Sequence, residues 1–159
     1  MLNIKRHMEI KELNKKPGIE QNKELIRAYT QFDKLLTELK KKEIPIEIVN
    51  SINNGIEQIN SVSESEKELR KKIRKTQSGI IKLIEKEHKL VTKNHYKNTW
   101  LTVGMAAFGI PLGIAFGTSL GNMGLLGIGL PIGMIIGIGT TMDKKAFEEG
   151  RQLDLEIKY

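Results

Sequence analysis

Residues 98–142 read NTWLTVGMAAFGIPLGIAFGTSLGNMGLLGIGLPIGMIIGIGTTM, 45 positions without an Asp, Glu, Lys, Arg or His. A helix in water keeps a wet face, so an uncharged run of this length calls for surroundings without water. As one straight helix it would reach about 67 Å, against a bilayer core of roughly 30 Å. The run must fold back. Two spans of about 18–20 residues fit, one over Trp100–Thr118 and one over Leu125–Thr141. The turn between them, Ser119–Gly124, carries Asn122 and glycines suited to reversing the chain. In lipid each backbone N–H and C=O must be satisfied within its own segment, so helix is the expected form despite the glycines.

The flanks orient the hairpin. Lys82, Lys86, Lys89, Lys93 and Lys97 precede it, Lys144, Lys145 and Arg151 follow it, and the turn has no basic residue. Basic flanks stay on the cytoplasmic side, which places both termini inside and the turn outside. Tyr96 and Trp100 stand where aromatic anchors belong, and Lys93, Lys97, Lys144 and Lys145 complete the expected membrane interface. The opening MLNIKRHMEIKELNKK has no apolar stretch of signal-peptide length, so no secretory signal is expected. The competing reading is an apolar hairpin buried in a soluble protein. The Lys- and Glu-rich remainder is too polar to wrap it on all sides.

Charge divides the rest of the chain. The whole has 159 residues, with 26 Lys+Arg, 19 Asp+Glu and a net charge of +7. Residues 1–97 hold 22 basic and 14 acidic side chains, and residues 143–159 hold four and five. The expected organisation is a basic cytoplasmic helical arm (1–97), a transmembrane helical hairpin (98–142) and a short charged cytoplasmic tail (143–159).

Eleven of the fifteen glycines lie in the neutral run, and they repeat. Gly109-Ile-Pro111-Leu-Gly113-Ile-Ala-Phe-Gly117 maps, twenty residues on, to Gly129-Leu-Pro131-Ile-Gly133-Met-Ile-Ile-Gly137. Gly109, Gly113, Gly117 and Gly121 in one half, and Gly129, Gly133 and Gly137 in the other, recur every fourth residue and share a helix face. Such a stripe lets backbones approach closely, a main source of helix association in lipid. It packs the two spans of one chain, packs spans of different chains, or reflects composition alone. No Lys follows these glycines as in a P-loop, and no G-x-G-x-x-G joins a strand to a helix.

The arm reads as coiled coil. After Pro17-Gly18, the residues Leu25, Tyr29, Phe32, Leu36 and Leu39 alternate steps of four and three. Ile44-Pro45-Ile46 breaks the pattern. A second seam follows in Ile52, Ile56, Ile59 and Val62, then Leu69, Ile73, Thr76, Ile80 and Leu83. No proline lies between Pro45 and Pro111, so one helix is expected from about Glu47 to Trp100, with the helix Ile19–Lys42 folded back on its start. The seam looks too narrow for a globular core, so self-association or a protein partner for the arm is expected. Acidic residues interleave the basic ones and no aromatic stacking set appears, which argues against nucleic acid.

Catalytic chemistry is missing. There is no cysteine and there are three histidines. His88 and His95, seven apart, stand about 10 Å from each other on a helix, too far to share a metal. The carboxylates sit in Lys/Glu-rich helices without an apolar pocket to perturb them. No enzyme activity, cofactor or metal is expected. The spans also lack the ionisable residues of proton relays and transporters.

The stretch Gly109–Tyr159, with GIPLGIAFGTSLG, GLPIGMIIGIG and the tail MDKKAFEEGRQLDLEIKY, resembles the small bacterial membrane proteins called glycine zipper family proteins. The resemblance covers roughly the last 60 residues. It implies a bacterial inner-membrane location and packing by glycine faces, and no activity. The expectation is an all-α protein: a helical, coiled-coil arm and a two-helix transmembrane hairpin that self-associates as a membrane scaffold or anchor. The alternative is an oligomeric pore or membrane-perturbing effector.

Overall fold

The computed structural model describes residues 9–16, 19–62, 65–109, 111, 114–115, 119 and 130–157. The described chain is mostly helical. It forms two units, residues 1–90 with 153–157, and residues 91–152.

The first unit is a three-helix core. A 3-10 turn, Ile19–Gln21, leads into α1 (Lys23–Lys40). Asn22 caps α1, its side-chain oxygen accepting from Glu24 N–H and Leu25 N–H at 3.1 Å each. Pro45 presets the backbone ahead of α2 (Ile46–Asn60). The third helix, α3 (Glu66–His88), packs against both α1 and α2. Leu25, Phe32, Leu39, Ile52, Ile56, Ile59 and Ile73 are fully buried, with Tyr29, Leu36, Leu69 and Ile80 beside them and Leu83 partly buried at the edge. The seam residues are thus spent on one another within one chain. This corrects the expectation of a seam too narrow for its own core. Three stripes, each too narrow to make a domain, enclose one when they face inward together.

The expected single helix from Glu47 to Trp100 is also corrected. The chain breaks after Asn60, where the Ser61 hydroxyl offers the backbone a competing partner, donating to Gln58 C=O at 3.1 Å. It breaks again after His88. Lys89 turns left-handed (φ 55°) and its N–H returns to Glu85 C=O at 3.0 Å. Asn94 is left-handed as well (φ 59°).

Gly55, a weak point by helix propensity, is needed by packing. A Cβ there would stand 2.6 Å from Thr76 Cγ2 on α3. Gly55→Ala is therefore expected to cost about 1–2 kcal/mol, the overpacking outweighing roughly 1 kcal/mol of propensity gain. Thr76→Ser, which removes the methyl, should recover most of that loss in the double variant. Gly79 has open space around it, so Gly79→Ala should stabilise by about 1 kcal/mol. Urea unfolding followed by circular dichroism checks all three.

The end of the chain belongs to this unit too. Leu153 and Leu155, two apart, are buried in its core. Of the expected short charged tail (143–159), the first part finishes a helix, and Leu153, Leu155 and, in part, Ile157 pack. Glu38 fastens them, accepting Asp154 N–H at 3.2 Å. The Lys41 ammonium bonded to it, and then the Asp154 N–H, hold the Glu38 carboxyl below its ordinary range. A depressed carboxylate stabilises above its unfolded value, about pH 4.3, and that contribution disappears as pH falls through the folded value. Acidification should release the tail first, seen as faster amide exchange at Leu153 and Leu155. Glu38→Gln should show the loosened tail already at neutral pH and flatten the response.

The second unit holds β1 (Val91–Thr92), α4 (His95–Gly104), α5 (Leu130–Glu148) and the first residue of β2 (Gln152–Leu153). The strands form a two-stranded sheet, with Val91 N–H donating to Arg151 C=O at 3.0 Å. A π-helical turn, Met105–Gly109, extends α4. Pro111 lies just beyond and offers no N–H to the carbonyl four residues back, which favours such widening. α5 closes on Gly150 (φ 68°), with Gly150 N–H on Phe147 C=O at 3.0 Å and Arg151 N–H on Ala146 C=O at 2.9 Å, a Schellman ending. The expected boundaries after residues 97 and 142 fall inside α4 and α5.

Among the described residues no helix is long and apolar enough to cross a membrane. Most of the expected turn, and much of both expected spans, lie outside the described residues.

Candidate functional site

The pair α4 and α5 is built inside out. Gly139 and Asp143 of α5 face the partner helix, and both are buried, as is Ala146 one turn on. Gly104 is buried on α4. Several large apolar residues point outward. Val103 is 52% exposed, Met105 50%, Ile138 47% and Phe147 70%, with Trp100 and Met142 also exposed. These side chains leave apolar surface on the outside of the pair.

Gly139 makes the close crossing. A Cβ on it would stand 2.5 Å from Lys97 Cα and 2.9 Å from both Lys97 N and Tyr96 O, all backbone. Asp143 uses that closeness. Its Oδ1 accepts Tyr96 N–H at 3.0 Å and its Oδ2 accepts Lys97 N–H at 2.9 Å. A carboxylate from one helix thereby caps the first turn of the other, which has no side-chain cap of its own. Gln152 Nε2 donates to Asp143 C=O at 3.3 Å. Trp100 Nε1 donates to Met142 Sδ at 3.2 Å, and His95 meets Tyr96 edge to face at 5.0 Å.

The expected interface residues gather at this same end. Lys93 is exposed in the turn before α4, Tyr96 and Lys97 occupy its first turn, and Trp100 stands one turn on. Lys144 and Lys145 are exposed on α5, 3.8 Å from Glu148 and 3.9 Å from Glu149. Thr140 and Thr141 hydroxyls return to Ile136 and Gly137 carbonyls, at 2.7 and 2.9 Å, so their polarity is satisfied within the helix.

The glycine stripe fares differently. Gly137 has nothing within 4 Å of where a Cβ would sit, and among the described residues Gly139 makes a close contact instead. Gly113, Gly117, Gly121 and Gly129 lie outside the described residues, and the packing of Gly109 and Gly133 does too. Gly139 stands off the four-residue series, and only its neighbour in space distinguishes it. Asp143, first charge after the neutral run, carried no sequence signal for a cap.

Among the described residues no three His, Cys, Asp or Glu side chains come together as metal ligands. Comparison of the chain with protein-family models, with curated proteins and with solved structures finds no match.

Proposed function

We propose that the chain is a bacterial membrane scaffold or anchor, in which α4, α5 and the neutral residues between them enter the lipid and the three-helix core stays at the cytoplasmic surface with both termini. The observation that carries this reading is the inverted packing of α4 and α5. Glycine and a capping carboxylate face inward, and valine, isoleucine and methionine face outward. Without a hydrophobic drive between helices in lipid, association relies on close small-residue contact, the kind Gly139 makes. The lysines at one end of the pair suit anionic headgroups, each worth roughly 1 kcal/mol near the surface. The resemblance to glycine zipper proteins points the same way, and self-association through the glycine faces belongs to this proposal. Self-association through the helical seam does not, because that seam is filled.

Flotation with vesicles tests it. The full-length protein should rise with vesicles of mixed zwitterionic and anionic lipid and resist a carbonate wash. Changing Val103, Met105 and Ile138 together to Glu should cut the floated fraction at least tenfold, since a charge at membrane depth costs about 2.5–3.5 kcal/mol. These side chains are exposed, so the helical content should hold. Wild-type protein left at the bottom of the gradient would refute the reading. Release of entrapped dye in the same vesicles would instead select the pore or membrane-perturbing alternative, which the proline-interrupted hairpin and its π-helical turn favour.

A further inference from the structure

Residues 9–16 form neither helix nor strand, yet α2 holds them by their main chain. Asn53 is 6% exposed; its Oδ1 accepts Lys11 N–H at 2.8 Å and its Nδ2 donates to Glu9 C=O at 3.1 Å. Two helical turns later Asn60 repeats the motif. Its Oδ1 accepts Asn14 N–H at 3.0 Å and its Nδ2 donates to Glu12 C=O at 3.3 Å. Seven residues of helix advance about 10.5 Å, and three residues of extended chain span about 9–10 Å. The two amides therefore keep step with an extended peptide that presents the same face every third residue. Ile10 and Leu13, three apart, turn onto the core, and Lys11 pairs with Glu57 between the two asparagines.

A side-chain amide that both gives and takes a main-chain hydrogen bond is indifferent to which residue it holds. Selectivity then comes from the apolar pair and the charge, the division of labour seen wherever an extended peptide docks. We propose that the Asn53–Asn60 face of α2 is a peptide-docking site, and that residues 9–14 of a second copy of the chain occupy it when copies are brought close. The complement is exact in sequence, because both copies carry the same Ile10, Lys11 and Leu13. Pro17-Gly18 follows the segment at once, a sequence suited to redirecting it. Exchange of identical segments is a low-cost route to linked copies. Confinement to a membrane raises the local concentration that exchange requires. This inference rests on the self-association reading above and gives it a second, water-exposed contact.

The chain has no cysteine, which makes the test direct. Full-length protein carrying Lys11→Cys is mixed with full-length protein carrying Glu57→Cys on vesicles and mildly oxidised. The expected result is an interchain disulfide, reduced at least tenfold when Asn53→Ala and Asn60→Ala are added. The double variant Lys11→Cys/Glu57→Cys reports docking within a chain and serves as the folding control. Excess synthetic peptide of residues 9–16 should suppress the interchain link even if the asparagine variants fail to fold. Intrachain linking without any interchain linking would overturn the exchange, as would a link that neither the asparagine changes nor the peptide affects. Light scattering of the detergent-extracted protein separates the two claims. Oligomers without the link leave self-association standing and remove the exchange; monomers at every concentration remove both.

Discussion

Gly139→Ala is expected to loosen α4 from α5, whereas Gly137→Ala, two residues away, is not. The added Cβ at 139 would lie 2.5 Å from Lys97 Cα, and the neighbours it meets are backbone. No rotamer change relieves that clash; the helices must separate. Overpacking of this kind costs about 1–3 kcal/mol and occasionally more. The upper end is expected here, because separation also stretches the bonds from Tyr96 N–H and Lys97 N–H to Asp143. Gly137 faces open space, so alanine there gains about 1 kcal/mol of helix propensity without a clash. Trp100, the single tryptophan, sits against Met142 and reports on this pair. Its fluorescence should show a melting point lowered by Gly139→Ala and unchanged or raised by Gly137→Ala. Equal effects from the two would mean that the crossing is not where the structure has it.

The second large effect is expected from Asp143→Ala. It strips two backbone donors of their acceptors in a place where Asp143 itself is 7% exposed. Each stranded donor costs about 1–3 kcal/mol, and loss of a helix cap costs about 1 kcal/mol. A total of roughly 3 kcal/mol is expected on those scales. Asp143→Asn keeps one acceptor oxygen and should lose about half as much. The first turn of α4 should fray, seen as faster amide exchange at Tyr96 and Lys97. Combining Asp143→Ala with Gly139→Ala should cost less than the sum, since both act through the same turn. Full additivity, or an Asn variant as damaged as the Ala variant, would refute the capping role.

Much of the first unit is legible in the residues. Leu25, Phe32, Leu39, Ile52, Ile56, Ile59 and Ile73 are read as apolar seams from their spacing, and all are buried. Spacing marks which side of a helix avoids water. It carries no address for the helix that will cover it, so a seam filled within one chain reads like one awaiting a partner. The break after Asn60 was hidden because serines weaken a helix without forbidding it. The break at Lys89 was hidden because lysine seldom adopts the left-handed backbone it takes there. Asn53 and Asn60 carried no signal in the spacing, and their use as main-chain clamps needed the position of residues 9–14.

By itself, the sequence determined that this protein is helical, that its charge is absent from one long run, and which residues of the first unit's helices avoid water. These are local properties, set by periodicity, capping residues and side-chain polarity within a turn or two. Tertiary structure alone decided that three stripes close on each other, that Leu153 and Leu155 return to the first unit, that Gly139 rather than Gly137 makes the crossing, and that Asp143 caps a helix 46 residues away in sequence. Each of those is a choice among partners equally acceptable in hydropathy. The choice is made by shape, by the fit of a backbone against a missing Cβ and of a carboxylate against two unsatisfied N–H groups, which becomes visible once both sides of a contact are in place.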